Sequence, residues 1–212
     1  MSAYPETLLA DARSQFADMI DYVVYDLSMD TDDYFPLFLA SGDCPRIERG
    51  DKTLILGVSG IELAQRVLSE KTGRTVFPSG RRLVKRPPAY WAGWILSSYQ
   101  WYSNRRFSEL HQALPFTTLL KMYPVYHEAP EERFYDSADR ILREKFPDTR
   151  LKMIRTAYGC SQAELAKMSG VGLRSLQMYE QRNKNINRAA GETLRSLSRA
   201  LGCSIEDILE PF

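Results

Sequence analysis

Hydrophobic residues recur every three or four positions along most of the chain, the spacing that places side chains on one face of an α-helix. The longest such stripe follows Pro5, which suits a first helical turn. It consists of Leu8, Leu9, Ala12, Phe16, Met19, Ile20, Val23, Val24 and Leu27. Asp11, Asp18, Asp21 and Asp26 fall mostly on the other side. The pattern therefore predicts a long amphipathic helix with a solvated acidic face.

Capping residues divide the rest of the N-terminal half into further helices. Thr31 is suited to cap a second helix that ends near Gly42, and Ser59 with Glu62 has capping-box spacing and opens a third helix. Four further helices are predicted. The first runs from Pro88 to just before Asn104, and the second is short and follows a cap at Ser108. The third begins at Pro115 and is limited by Pro124, and the fourth covers residues 128–146. Residues 42–52 predict a looser basic stretch, and residues 73–88 a loop, with or without a short strand pair.

Residues 148–212 have the pattern of five short helices. The first helix is capped by Asp148 and ends at Gly159, and the second begins at a capping box of Ser161 and Glu164 and ends at a tight turn at Gly170. The third begins at Gly172 and is followed by a polar loop at residues 183–187. The fourth runs from about Arg188 to Leu201, and Ser204 caps the fifth. The side chains expected to point inward are Leu151, Ile154, Ala157, Leu165, Ala166, Met168, Leu176, Tyr179, Leu194, Leu197 and Leu201.

The segment SQAELAKMSGVGLRSLQMYEQ resembles the paired helices of the Xre/Cro family of phage-repressor-type DNA-binding domains. The residues that carry this resemblance are Ser161-Gln162, Leu165-Ala166, Gly170-Val171, Leu176 and Glu180. It extends over residues 150–209 and implies a transcriptional regulator whose third helix, residues 172–181, enters the major groove. The expected fold is all-α, with an N-terminal helical domain followed by a five-helix repressor-like domain.

The resemblance implies a set of DNA-contacting residues. Arg174 is expected to donate to guanine, Gln177 to adenine, and Leu173 to touch a thymine methyl group. The other candidates are Ser175 on the same helix, Ser161 and Gln162 at phosphates, and Arg182, Lys184 and Asn185 after the recognition helix. Two positions depart from the family pattern, because Gly172 replaces a capping hydroxyl residue and Arg182 stands where glycine is frequent. Each candidate has a plainer alternative as a solvated surface residue.

Composition and charge favour a two-part molecule. With 44% hydrophobic and 26% charged residues the chain suits a globular protein, and it has neither a membrane-length apolar run nor a signal-peptide pattern, so a cytoplasmic location is expected. Residues 1–40 carry a net charge of −7 (eight acidic, one basic), whereas residues 148–212 carry +3 (ten basic, seven acidic). We predict a helical partner-binding or regulatory domain at residues 1–147 and a DNA-binding domain at residues 148–212.

Catalytic, metal and cofactor chemistry is not indicated. Three separated cysteines and two histidines, His111 and His127, give no metal-ligand spacing and no nucleophile–base pair, so neither an enzyme nor a cofactor is expected. The acidic residues 26–33 lack the glycine and final glutamate of a calcium loop, which favours helix capping. The basic residues 81–86 suit a solvated loop or a contact with DNA phosphate.

The N-terminal half has one distinctive feature and one weaker resemblance. Its aromatic residues Tyr90, Trp91, Trp94, Tyr99, Trp101 and Tyr102 favour a packed core over a ligand cage or partner surface. The segments SGIELAQRVL, YWAGWILSSYQWYS and KMYPVYHEA resemble antitoxin-type bacterial regulators. Two functional hypotheses result: a homodimeric repressor that binds double-stranded operator DNA, or an antitoxin whose N-terminal domain neutralises a protein toxin while the C-terminal domain represses the shared promoter.

Overall fold

The computed structural model describes residues 2–81 and 87–210. Within those two ranges the regular structure is helical and includes no β-strand, which confirms the predicted all-α class. The chain divides into two compact units, the first ending at Leu142 and the second beginning at Arg143. The predicted division of function at residue 147 stays a prediction.

The first unit contains nine α-helices within the described residues. They are α1 (Leu9–Tyr25), α2 (Thr31–Leu39), α3 (Cys44–Glu48), α4 (Lys52–Gly57), α5 (Gly60–Thr72), α6 (Pro88–Ser103), α7 (Phe107–Ala113), α8 (Phe116–Tyr126) and α9 (Glu131–Lys145), the last of which ends three residues beyond Leu142. Residues 73–81 have no regular structure, as the predicted loop requires. Of the basic residues 81–86, for which a solvated loop or a DNA contact was predicted, the structure describes only Arg81. The others, Arg82, Leu83, Val84, Lys85 and Arg86, lie outside the described residues.

Helix α1 is the centre of the first unit and packs mainly against α5 and α6. Its buried residues surround the helix rather than forming one stripe: Leu9, Ala12, Gln15, Phe16, Ala17, Met19, Ile20, Asp21, Tyr22 and Val23. The predicted solvated position of Asp21 is therefore wrong. Its side chain is only 4% exposed, and the Arg81 guanidinium donates to both carboxylate oxygens at 3.1 Å. Burial raises the pKa of Asp21.

Two glycines allow the neighbouring helices to approach α1 closely. A Cβ atom on Gly93 of α6 would lie 2.9 Å from the Ala17 Cα atom, and one on Gly60 of α5 would lie 2.2 Å from the Gln15 carbonyl oxygen. Because any side chain at these positions would collide with backbone atoms, the contact requires glycine. The sequence pattern places both residues in helices and does not indicate their role.

Aromatic side chains fill the space around α1. The Phe16 ring stacks on Phe107 with 4.7 Å between centroids and contacts Phe35 and Phe38 edge to face. Along α6, Tyr90, Trp91 and Tyr99 are buried, Trp94 and Trp101 are half-buried, and Tyr102 is exposed. The core interpretation is thus confirmed for most of this run.

Several predicted helix limits are wrong by a few residues. Asp30, not Thr31, caps α2 by accepting from the Asp32 N–H, and Thr149, not Asp148, caps α10 (Arg150–Tyr158). Ser108 lies inside α7, whose N-cap position is Arg106. Several short polar residues near each helix start could act as the N-cap. The residue that does so has an extended backbone, and its side-chain oxygen accepts a hydrogen bond from a free backbone N–H.

Proline and short length account for the other errors in helix limits. Pro124 lies within α8, since a proline removes one backbone hydrogen bond without ending a helix that packing supports. The stretch predicted as loose contains the whole of α3 and the first residue of α4, two helices that are too short to show a helical repeat. Asp51 caps α4, and hydrogen bonds from the Thr53 hydroxyl and the Arg46 guanidinium lower the pKa of its carboxyl.

The second unit contains five short α-helices within its described residues. They are α10 (Arg150–Tyr158), α11 (Gln162–Ser169), α12 (Leu173–Glu180), α13 (Gly191–Leu201) and α14 (Ile205–Ile208), with a 3-10 turn at Ile186–Arg188 where the fourth helix was expected to start. Its buried hydrophobic core comprises Leu151, Leu165, Leu176, Tyr179, Ile186, Leu194, Leu197, Leu201 and Ile208. Ala157 and Met168, predicted to point inward, are exposed because each short helix buries only one narrow face.

Candidate nucleic-acid interface

A helix, a tight turn and a second helix form the centre of the C-terminal unit. The Ser161 side chain accepts from the Glu164 N–H, while the Glu164 carboxylate accepts from the Ser161 N–H at 2.8 Å. This predicted capping box begins α11 and lowers the pKa of Glu164 through the Ser161 hydrogen bonds. Gly170 ends α11 with a φ of 71°, a left-handed conformation that favours glycine, and Gly172 begins α12 without a side-chain cap. The order and limits of this motif follow the sequence prediction.

The two faces of α12 differ sharply. Leu176, Tyr179 and Glu180 are buried against the other helices. Leu173 and Arg174, at the start of the helix, are exposed, while Ser175, Gln177 and Met178 are half-buried. A helix that presents its first turn and outer face in this way can enter a major groove, where side chains near its N-terminus reach base edges.

A buried ion pair fixes α12 to α10. The Arg155 guanidinium of α10 donates to both Glu180 oxygens at 2.6 and 2.8 Å, and its remaining terminal nitrogen donates to the Cys160 carbonyl oxygen. The Glu180 side chain is only 1% exposed. The carboxylate raises the pKa of Arg155 further, so this group stays charged. The pair therefore sets the position of the outer face of α12 relative to the domain core.

Gln162, a candidate phosphate contact, takes part in the same network. Its side-chain nitrogen donates to a Glu180 oxygen at 2.8 Å, so the start of α11 is tied to the end of α12. The amide carries a second N–H, and a bond to Glu180 is compatible with a bond to phosphate. Gln162 and Glu180 are recognisable from the sequence motif, but Arg155 is not, because nothing local indicates a pairing between residues 25 positions apart.

The three candidates after the recognition helix have different surroundings. Arg182 has a φ of 57°, the conformation that explains why glycine is frequent there, and its guanidinium donates to Pro147, Asp148 and Glu210. Lys184 and Asn185 are exposed. The structure brings Ser161, Gln162 and α12 together in one motif. The Arg182 guanidinium, by contrast, is hydrogen-bonded to other groups of the same domain. Arg182 itself is exposed, and its predicted DNA contact stays a prediction.

A metal-binding group and a membrane-spanning helix are both absent from the described part of the chain. Residues 2–81 and 87–210 include no group of three or more side chains that could hold a metal ion. No described helix combines the length and apolar character needed to cross a membrane. His111 lies 3.7 Å from an Asp32 oxygen, and Asp32 itself accepts from backbone N–H groups at the start of α8. The acidic residues near position 30 thus act in capping.

These features define a helix-turn-helix DNA-binding domain. Comparison with protein-family models gives the same result, since residues 151–208 match a helix-turn-helix family model. The match supports the Xre/Cro-like resemblance of this segment and a DNA-binding transcription regulator. It does not extend to the N-terminal half, whose resemblance to antitoxins stays unsupported. Searches of curated proteins and of solved structures gave no match.

Proposed function

We propose that the protein is a sequence-specific transcriptional repressor that reads operator DNA with α12. The observation that supports this most is the exposed first turn of α12 on a helix whose other face is fixed by Arg155 and Glu180. Rigid placement matters because a recognition side chain displaced by an ångström loses its hydrogen bonds to the base edge.

The proposed roles follow from exposure and chemistry. Arg174 donates a bidentate pair of hydrogen bonds to guanine, Gln177 pairs with adenine, and Leu173 packs on a thymine methyl group. Ser175, half-buried beside them, contacts the DNA backbone. The start of α11, with Ser161 and Gln162, binds phosphate, since free N–H groups and the helix dipole favour an anion there.

A homodimer is part of the proposal. One recognition helix reads only a half-site, and a two-fold dimer supplies the second half-site one helical turn away. We expect selection from random duplexes to return a palindromic sequence with half-sites about 10 base pairs apart. A selected sequence without two-fold symmetry, together with a monomeric mass in solution, contradicts the dimer.

Replacement of Arg174 tests the DNA-reading role. We expect Arg174→Ala to weaken binding to the selected duplex by about 1–3 kcal/mol and to relax the choice of base at one position per half-site. Arg199→Ala, which removes an exposed arginine from the C-terminal end of α13, serves as the control. Equal affinities for the Arg174 and Arg199 variants in a fluorescence-anisotropy titration would show that α12 does not read the sequence.

Repression is tested separately, with a reporter gene placed behind the selected duplex. We expect the protein to lower transcription, and we expect Arg174→Ala to restore it. Activation of the reporter would keep the DNA-binding role and reject repression.

A further inference from the structure

The loop after the recognition helix is held by three anchors, and only a short tip is left outside. Ile186 is buried in the core of the second unit. Asn187 exchanges two hydrogen bonds with the backbone of Glu210, its side-chain oxygen accepting at 2.9 Å and its side-chain nitrogen donating at 2.6 Å. Arg182 begins the loop in its left-handed conformation. Asn183, Lys184 and Asn185 form the exposed tip between these anchors.

Arg182 and Glu210 connect this loop to both ends of the domain. Arg182 donates to the Pro147 carbonyl oxygen at 2.6 Å and to the Asp148 carbonyl oxygen at 3.2 Å, just before α10. It also pairs with Glu210, just after α14, at 3.2 Å. Glu210 in turn accepts from the Arg150 backbone N–H at 2.6 Å. We call the set of Arg182, Asn187 and Glu210 the clasp.

The clasp uses residues outside the segment that matches the helix-turn-helix family model. That segment covers residues 151–208, whereas Glu210 and the carbonyl groups of Pro147 and Asp148 lie beyond its two ends. The clasp therefore adds a fixed support to the motif on the side of the loop that follows α12.

Within the tip, Lys184 has a defined position. Its backbone N–H donates to the Met178 carbonyl oxygen at 3.1 Å, and its ammonium group lies 5.2 Å from the centre of the Tyr179 ring. Tyr179 is buried on the inner face of α12. Lys184 thus contacts the end of α12, the helix proposed to read the bases, and the clasp holds the chain on the other side of the tip.

We infer that the clasp positions Lys184 and Asn185 to bind DNA phosphate beside the base-reading face of α12. Arg182 and Glu210 are positioning residues here, acting on DNA through the loop tip. This inference rests on the proposed function, because it assigns the clasp a part in operator binding. Phosphate contacts fix the register of a protein on the duplex without reading sequence, so the clasp affects affinity and not base choice.

Removing Glu210 separates this inference from simple charge effects. Glu210→Ala raises the net charge by one unit, which by itself favours binding to a polyanion. If the clasp positions the loop, binding instead weakens, and the slope of log affinity against log salt falls by about one for each phosphate contact that is lost. One lost contact corresponds to about eightfold weaker binding near 0.1 M salt. Glu206→Ala, an exposed position of α14, makes the same charge change away from the clasp and is the matched control.

A double-mutant cycle with Lys184→Ala then tests how the clasp acts. In that background Glu210→Ala is expected to reduce the salt slope little further, since the positioned lysine is already gone. Arg182→Gly is the second probe, because glycine suits the φ of 57° and leaves the turn intact. A direct phosphate contact by Arg182 would instead lower the slope again in the Lys184→Ala background.

The measurements use the full chain below the onset of melting, as followed by circular dichroism. Specific and non-specific duplexes are expected to lose affinity together in the clasp variants. If the Glu210 variant has the same affinity and salt slope as the Glu206 control, the inferred role of the clasp in DNA binding is wrong, while the proposed function stands. If Glu210→Ala does not fold, the Arg182→Gly cycle decides the same question. If the wild-type chain binds no duplex, the proposed function is wrong, and the inferred role of the clasp in DNA binding is then wrong as well.

Discussion

The two units reach stability by different means. The first packs large rings around α1, with Phe16, Phe35 and Phe107 in mutual contact. The second has a small core of leucine and isoleucine with a single tyrosine, Tyr179, and it relies in addition on an ion pair in which both side chains, Arg155 and Glu180, are largely buried. A small domain buries a smaller fraction of its surface, so polar contacts carry a larger share of its stability.

The two units also have separate optical probes. All three tryptophans, Trp91, Trp94 and Trp101, lie in the first unit. Tryptophan fluorescence therefore follows the first unit alone, while binding to the selected duplex follows the second. The predictions below use this separation.

The largest effect is expected from Phe16→Ala. Phe16 is 1% exposed and contacts three other phenylalanine rings, so the change leaves a cavity that costs about 3–5 kcal/mol of the free energy of unfolding. Denaturant titration followed by tryptophan fluorescence measures this loss. Leu56→Ala, at a 59% exposed position of α4, is expected to change stability by less than about 0.5 kcal/mol. Similar losses for the two variants would contradict the description of an aromatic core.

The next effect is expected from Glu180→Gln in the second unit. The change leaves the buried Arg155 without a charged partner and costs about 3 kcal/mol. Duplex binding should then be lost at a lower temperature than the tryptophan transition, which stays where it was. Replacing both partners, with Arg155→Met and Glu180→Leu, is expected to restore most of the stability.

An exposed ion pair provides the control for that experiment. Lys152 and Asp148 lie 2.6 Å apart with side chains 42% and 49% exposed, so Lys152→Ala should cost less than about 1 kcal/mol. If Glu180→Gln costs no more than Lys152→Ala, the second unit does not depend on its buried pair, and the contrast between the units fails.

The smallest effect concerns pH and the capping box of α11. The pKa of Glu164 is lowered in the folded chain, so its contribution to stability is complete above the ordinary value of 4.5 and is lost as pH falls through the lower, folded value. Glu164→Gln removes this dependence while keeping a side chain that can complete the box. Melting curves of the full chain between pH 7 and pH 3 should show a smaller acid loss for this variant than for Glu206→Gln.

Local features of the fold were predictable from the sequence. The capping boxes that begin at Ser59 and Ser161 were predictable because each is completed by a glutamate only three positions further along the chain. Gly159 adopts the left-handed conformation at the helix end that was predicted there. Helices α3 and α4 were missed, because five or six residues are too few for a repeat to appear.

Long-range pairings were not predictable. The bond between Arg155 and Glu180, the burial of Asp21 under Arg81, and the clasp each join residues that only the folded chain brings together. Ser161, Gln162 and the candidate residues of α12 lie on one motif, while the exposed Arg182 pairs with Glu210. The left-handed conformation of Arg182 agrees with the glycine that the family pattern has at this position.

The glycine contacts on either side of α1 have a consequence for the motions of the first unit. Backbone atoms of α5 and α6 lie against α1 at Gly60 and Gly93, so at these two points no side chain separates the helices. The amide hydrogens of α1, at Phe16 and Ile20 for example, should exchange with deuterium only when the whole unit opens. A hydrogen-exchange map should therefore show α1 as the slowest segment of the first unit.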